Sequence, residues 1–286
     1  MAQTKQQIQA HLASAGSQPR HMFGQNFMID QNLVRLIADA ASIAAGDTII
    51  EVGPGTGTLT EEILSRGGRV IAVEIDRDLA GYLASLFAHH GDSFTLIEGD
   101  ALNGKHAVNA ELATMIREHR EPERIKLVAN LPYNIASPLV IELLLAGVTT
   151  LVFTVQKEVA DRLKGAADSD DYGPLTVTTQ MLSRVEVLRT LSPQAFWPAP
   201  KIESALVRMT LDNRLGDSAR PFGRFVQKLF SFRRKTLRKA LDMMDLQSTV
   251  PLDQLGIDVS RRAEAFTPEQ IRLIFDNSSH HAAPPQ

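Results

Sequence analysis

The 286 residues predict an α/β protein, a largely parallel sheet followed by a smaller C-terminal helical domain, on three observations. From Asp47 to Met209 short apolar runs alternate with helical stretches, which is the rhythm of strand-helix-strand units in a parallel sheet. The first run, Ile49, Ile50 and Val52, ends in Gly53, Gly55 and Gly57 at alternate positions, as a buried strand does on entering a tight turn. After Leu211-Asp212-Asn213 the strand rhythm stops, and Phe222, Phe225, Val226, Leu229 and Phe230 take up helical spacing. The domain boundary is therefore placed there, giving one domain over 1–212, with an N-terminal extension over 1–23, and a second over 213–286.

In chain order, the residues to about Ser17 carry Ile8 and Leu12 at helical spacing and little else, which predicts a loosely held helix or disorder. The segment G-Q-N-F-M-I-D (24–30) ends in Asp30, a suitable N-cap for a helix with Leu33, Leu36, Ile37 and Ala40 on its apolar face. Strands are expected at Thr48–Val52, Arg69–Glu74, Phe94–Ile97, Ile125–Ala129 and Leu151–Gln156. Two later runs, Val185–Thr190 and Ala205–Thr210, flank a Pro-rich loop and suit an antiparallel hairpin closing the sheet's edge. The tail from about residue 277, polar and Pro-ended, is expected to be disordered, with its two His solvated rather than metal-bound.

Composition limits the function classes. A hydrophobic content of 44% supports a real core, and the N-terminal M-A-Q-T-K-Q-Q lacks the apolar stretch of a signal peptide. The longest apolar region, Pro138 to Val155, is broken by Glu142, Gly147 and Thr149-Thr150, so a helix and a strand fit it better than a membrane span. With zero cysteines, disulfide scaffolds, thiolate metal sites and cysteine nucleophiles are excluded, and a cytoplasmic location is expected. A net charge of −3 argues against a uniformly basic coat, so any nucleic-acid contact must be local.

In an open parallel sheet ligands bind beyond the carboxyl ends of the strands, so strand-end residues are the informative ones. Thr58 stands where a dinucleotide fingerprint needs Gly or Ala, and E-x-G-x-G-x-G instead resembles the cofactor loop of S-adenosylmethionine methyltransferases. Glu74 follows the apolar run of the second strand, where a carboxylate can accept both ribose hydroxyls of an adenosine cofactor. Asp100 ends I-E-G-D, placed to accept from the cofactor's adenine amino group or simply to lie in a loop. The fourth strand runs directly into Asn130-Leu131-Pro132-Tyr133. Methylating an exocyclic amine requires acceptors for its N–H bonds, which localise the lone pair and stabilise the positive charge that develops. The side-chain carbonyl of Asn130 and the backbone carbonyl of Leu131, held outward by Pro132, can do this, and Tyr133 supplies a flat face for a base.

These residues belong to a longer series: Q-N-F (25–27), E-V-G-P-G-T-G (51–57), E-I-D-R-D (74–78), G-D-A (99–101), N-L-P-Y-N-I (130–135), Q-K-E-V (156–159), Y-G-P-L (172–175), F-W-P-A-P-K-I-E-S-A (196–205) and F-S-F-R-R-K-T-L-R (230–238). In content and order the chain resembles the KsgA/RsmA family, the small-subunit ribosomal RNA adenine dimethyltransferases. The resemblance implies a Rossmann-like class I methyltransferase sheet, S-adenosyl-L-methionine as cofactor, and no metal. By position it implies that Asn26 and Met28 close on the cofactor, Gly53 and Gly55 form its turn, Glu74 takes the ribose, Asp100 the adenine, and Asn130 both the cofactor's end and the target amine. Tyr133 and Phe196 would flank the target adenine. Phe232 departs from the glutamine expected in that motif, and the acidic net charge departs from the basic protein expected.

The implied partners are small-subunit rRNA and the small ribosomal subunit, the implied reaction two methyl transfers to each of two adjacent adenines near the rRNA 3′ end, and the implied state a monomer away from membranes. Arg233, Arg234, Lys235 and Arg238 lie in a basic run suited to rRNA phosphates. Two other functions share parts of this pattern. One is a ribosome-assembly or mitochondrial transcription-factor-like binding protein of the same fold, and the other a DNA adenine methyltransferase, for which no separate DNA-recognition domain is evident.

Overall fold

In this computed structural model, residues 3–20, 24–104, 107–119, 121–248 and 251–280 are described. They form, in order, α1 (Lys5–Ser14), β1 (Phe27–Met28), α2 (Gln31–Ala40), β2 (Thr48–Val52), α3 (Thr58–Ser65), β3 (Arg69–Glu74), α4 (Arg77–Leu86), β4 (Phe94–Glu98), α5 (Ala110–Glu118), β5 (Ile125–Asn130), α6 (Ala136–Leu145), β6 (Thr150–Gln156), α7 (Lys157–Lys164), α8 (Pro174–Leu182), β7 (Ser183–Leu191), β8 (Phe196–Trp197), β9 (Ser204–Leu211), α9 (Ala219–Ser231), α10 (Leu237–Met243), β10 (Leu246–Ser248), α11 (Pro268–Asp276) and β11 (Ser278–His280).

Seven strands form the main sheet in the order β4-β3-β2-β5-β6-β9-β7. The β4-β3, β3-β2, β2-β5 and β5-β6 pairs are parallel, and β9 runs antiparallel to β6. β2 and β6 carry the apolar runs Ile49-Ile50 and Leu151-Val152-Phe153 because both their faces are covered; these five residues are each 0% exposed. The chain leaves β2 towards β3 on one side and returns through β5 on the other, which puts the switch point between β2 and β5. β7 takes the edge beside β9, and the loop between them carries β8, which pairs antiparallel with β1.

Two compact units result: Met1–Ala160 with Val185–Leu211, and Asp161–Arg184 with Asp212–Gln286. This corrects the expected single boundary at 212/213. The segment 161–184 joins the second unit because it contains α8, whose buried Leu175, Val177 and Met181 belong to a helical core with α9 and α11. In that unit Phe222 and Phe225 of α9 set their rings against Phe275 at 5.6 and 5.3 Å, and the Tyr172 hydroxyl donates to the Phe266 carbonyl at 2.6 Å.

Two terminal expectations also change. The N-terminal helix is neither loose nor disordered: Thr4 and Gln7 form a reciprocal cap, and Ile8 and Leu12 are buried against Phe27 and Leu79. At the other end the expected disordered tail begins with a strand, Ser278–His280, whose backbone pairs with Leu246–Ser248, while 281–286 lie outside the described residues. No described helix is long and apolar enough to cross a membrane.

Candidate active site

The carboxyl ends of β2, β3, β4 and β5 open onto one cleft in the first unit, with an empty volume of about 930 Å³ including solvent at its mouth. Its lining includes Asn26, Met28, Gly53, Gly55, Glu74, Asp100 and Asn130, so every residue expected to hold a cofactor is brought to one place. The glycine turn is required sterically. Gly53 and Gly55 have φ of +68° and +62°, and a Cβ on Gly55 would lie 2.9 Å from the Phe27 ring. Phe27 is fixed in turn by β1 pairing and by stacking on Trp197, with ring centroids 6.5 Å apart.

Glu74 is 3% exposed, and its two carboxylate oxygens accept the Gly55 N–H at 3.2 Å and the Asp76 N–H at 3.0 Å. Burial pushes its carboxyl up to about 7, against the opposing effect of those two bonds. Glu51, at 2% exposure, also lines the cleft and accepts the Thr60 hydroxyl at 2.6 Å. Its carboxyl is pushed up to about 8, first by burial and then by the charge of Glu74. Asp100 is exposed and accepts the Leu102 N–H at 3.0 Å through one oxygen. A carboxylate keeps further acceptor sites after one such bond.

Asn130 ends β5 with its side-chain amide held from two directions. Nδ2 donates to the Asn26 carbonyl at 2.7 Å, and Oδ1 accepts the Thr154 hydroxyl. Leu131, the first residue beyond the strand, has its side chain buried at 1% exposure. Tyr133 is partly buried, and its hydroxyl bonds Ser204 Oγ at 2.8 Å. A carbonyl at the end of a strand, beside a glycine turn and a buried carboxylate, suits transfer of a group to an amine.

Residues 16–279 match the ribosomal RNA adenine dimethylase family. The chain belongs to that family. The dimethylase is 41% identical over 255 residues to a protein of Anaeromyxobacter dehalogenans named ribosomal RNA small subunit methyltransferase A, covering 86% of this chain and 88% of the relative. It is 39% identical to the protein of the same name from Hahella chejuensis, covering 92% and 94%. The crystal structure of a dimethyladenosine transferase from Plasmodium falciparum superposes with a TM-score of 0.69 at 22% identity, over 87% of this chain and 97% of that one, a likeness of fold.

The cleft of this dimethylase fits S-adenosylmethionine, the family's methyl donor. It offers a turn whose main chain is left bare by glycine and a buried carboxylate at the end of β3. Of the residues expected to act on the target base, Asn130 lines the cleft, whereas Leu131, Tyr133 and Phe196 are not among its lining residues; Phe196 is the most remote from that role. It is 2% exposed, paired with Met28 and packed among Leu33, Ile37 and Leu206, so no face of its ring is open to a base. Arg233, Arg234, Lys235 and Arg238 are exposed in the second unit. Arg233 pairs with Glu264 at 2.8 Å, and Phe232 packs beneath the Lys228 ammonium, 5.5 Å from its ring centre.

Several supports escaped the sequence reading. Gln25 lines the cleft and donates to Asp76, which holds Arg20 at 2.9 Å; that Asp76 also caps α4 is what its place ahead of that helix suggests. Glu51 carried a signal, as an acidic residue directly after the apolar pair Ile49-Ile50 inside a strand. Thr154 and Ser204 carried none, because hydroxyls are ordinary in strands.

Proposed function

We propose that this dimethylase transfers two methyl groups in succession to the exocyclic amine of each of two adjacent adenosines near the 3′ end of small-subunit rRNA. S-adenosylmethionine, when bound, supplies a methyl group already activated on a sulfonium. In that cleft Glu74 would hold the donor's ribose hydroxyls and Asp100 its adenine amino group, the bare main chain of Gly53 and Gly55 would let it approach closely, and Asn26 and Met28 would close on it. The Asn130 side-chain carbonyl and the Leu131 backbone carbonyl accept the N–H bonds of the target amine, and Tyr133 stacks on its base. Charge developing on that nitrogen falls against two fixed carbonyl dipoles, so little reorganisation is needed at the moment of transfer. Much of the rate then comes from proximity and orientation. The target adenine must leave its stack to reach the pocket.

The observation that carries this reading is the placement of Asn130. Asn130 lines the same cleft as the glycine turn and Glu74, with Nδ2 committed to the Asn26 carbonyl and Oδ1 accepting one bond from the Thr154 hydroxyl, so that the second lone pair of the carbonyl oxygen is what is left to meet an amine. The small ribosomal subunit is the proposed partner, with the protein acting as a cytoplasmic monomer and docking through Arg233, Arg234, Lys235 and Arg238. The test supplies labelled S-adenosylmethionine with unmethylated small subunits, naked rRNA or duplex DNA, and identifies the labelled nucleoside. Dimethyladenosine from subunits is the expected product; label on DNA alone, or on no nucleic acid, would overturn the reading.

A further inference from the structure

We infer that Thr154 is a positioning residue for methyl transfer, its hydroxyl setting the angle at which the Asn130 carbonyl meets the target amine. The inference rests on the reading of Asn130 given above. Thr154 lies on β6, in register with Asn130 on the neighbouring β5, and is 0% exposed. Its strand neighbours Leu151, Val152, Phe153 and Val155 are all apolar and fully buried, so packing at this position would be served as well by valine, which has the same shape. A buried hydroxyl must find a partner, and this one donates to Asn130 Oδ1.

The two bonds to the amide have different effects. The Asn26 carbonyl accepts only, so it fixes which end of the amide is nitrogen: a flipped Asn130 would set two carbonyl oxygens against each other. It leaves the tilt of the C=O free. Thr154 removes that freedom by taking one of the two lone pairs of Oδ1, which leaves the second pair for an N–H of the amine. Thr154 therefore acts on the reaction through Asn130 and touches neither donor nor base in this scheme. With its hydroxyl gone, the amide can pivot and the transition state loses an aligned acceptor, while the walls that bind donor and RNA keep their shape.

The experiment compares Thr154→Val, Thr154→Ser and Asn130→Ala in the full-length protein, by single-turnover methylation of small subunits together with the KM for S-adenosylmethionine and for subunits. For Thr154→Val we expect a rate lower by about tenfold to a hundredfold, with both KM values unchanged, as misplacement of a reacting group produces. Thr154→Ser, which keeps the hydroxyl and loses a methyl, should stay within about threefold of wild type. A purely structural role would instead lower stability in both variants and leave the single-turnover rate of the folded fraction alone. A wild-type rate for Thr154→Val beside a crippled Asn130→Ala overturns the inference and spares the reading of Asn130. A wild-type rate for Asn130→Ala overturns both. Should the valine variant not fold, Thr154→Ala replaces it: equal rates for the Ala and Ser variants overturn the inference, and a rate for Ala well below that for Ser supports it.

Discussion

Glu74 takes two backbone N–H bonds and still lines the cleft, so its remaining acceptor capacity faces whatever diol enters. Glu74→Ala should weaken S-adenosylmethionine binding at least tenfold, about 1.4 kcal/mol; an unchanged calorimetric affinity in the folded variant would remove Glu74 from the site. The same burial has a cost in the unliganded protein. Glu51 and Glu74 have carboxyls raised from 4.5 to about 8 and about 7, so between those values the folded chain holds protons that the unfolded chain has released. The stability they permit is complete below about pH 4.5 and is lost as the pH rises through about 7 and 8. Glu51→Gln should flatten that decline, with the urea midpoint changing less between pH 5 and pH 8 than in the parent; a parallel pair of curves would contradict it. Tyr133 brings a third prediction. Phenylalanine keeps the stacking face but leaves Ser204, buried at 0% exposure, without its partner, so Tyr133→Phe should lose roughly 1–3 kcal/mol of stability. Adding Ser204→Ala should restore most of it, since removing both partners is nearly neutral. If the double variant is weaker than Tyr133→Phe alone, the hydroxyl pair is not the source of the loss.

At the scale of elements, the parallel strands were legible because burial on both faces writes them as unbroken apolar runs, as at Ile49-Ile50 and Leu151-Val152-Phe153. The strand ends were legible too, since the chemistry of a glycine turn, Glu74 and Asn130 is local in sequence. What failed were judgements that depend on distant partners. Phe196 is as aromatic in a core as in a pocket, and only the pairing of β8 with β1 decides between them. Helix α8 follows α7 in the rhythm of the sheet, yet its core is the one built by α9 and α11, far along the chain. Helix α1 shows just two apolar residues, and their burial depends on Phe27 and Leu79. That last contact is testable. Leu12 is 2% exposed, so Leu12→Ala should cost roughly 2–5 kcal/mol, read from urea denaturation. It should also weaken donor binding, because Phe27 shares the cluster and stands over Gly55. A cost near zero would return α1 to the loose segment its sequence suggests.

Across the whole molecule the charge is −3, yet it is unevenly spread. From Ala219 to Leu241 eight residues are Arg or Lys and none is Asp or Glu. Arg220, Arg224 and Lys228 repeat every four positions on α9, and Arg233, Arg234, Lys235, Arg238 and Lys239 follow in and around the turn into α10, all of them exposed. A solvated helix face is the ordinary meaning of a charge run. Here the absence of compensating acids within the run, in a chain that is acidic overall, favours a polyanion instead. The ion pair of Arg233 with Glu264 does not oppose this, because an exposed pair is worth only about 0–1 kcal/mol and can be given up to a phosphate. Changing Arg233, Arg234 and Lys235 together to Ala should therefore weaken binding to small subunits and flatten its dependence on salt. Each lost phosphate contact should reduce the logarithmic slope by about 0.7–0.9. S-adenosylmethionine affinity should stay as in the parent, since none of the three lines the cleft. Binding isotherms at a series of salt concentrations measure both quantities, and a triple variant with the parent slope would mean that these charges face only solvent and that RNA is held elsewhere on the protein.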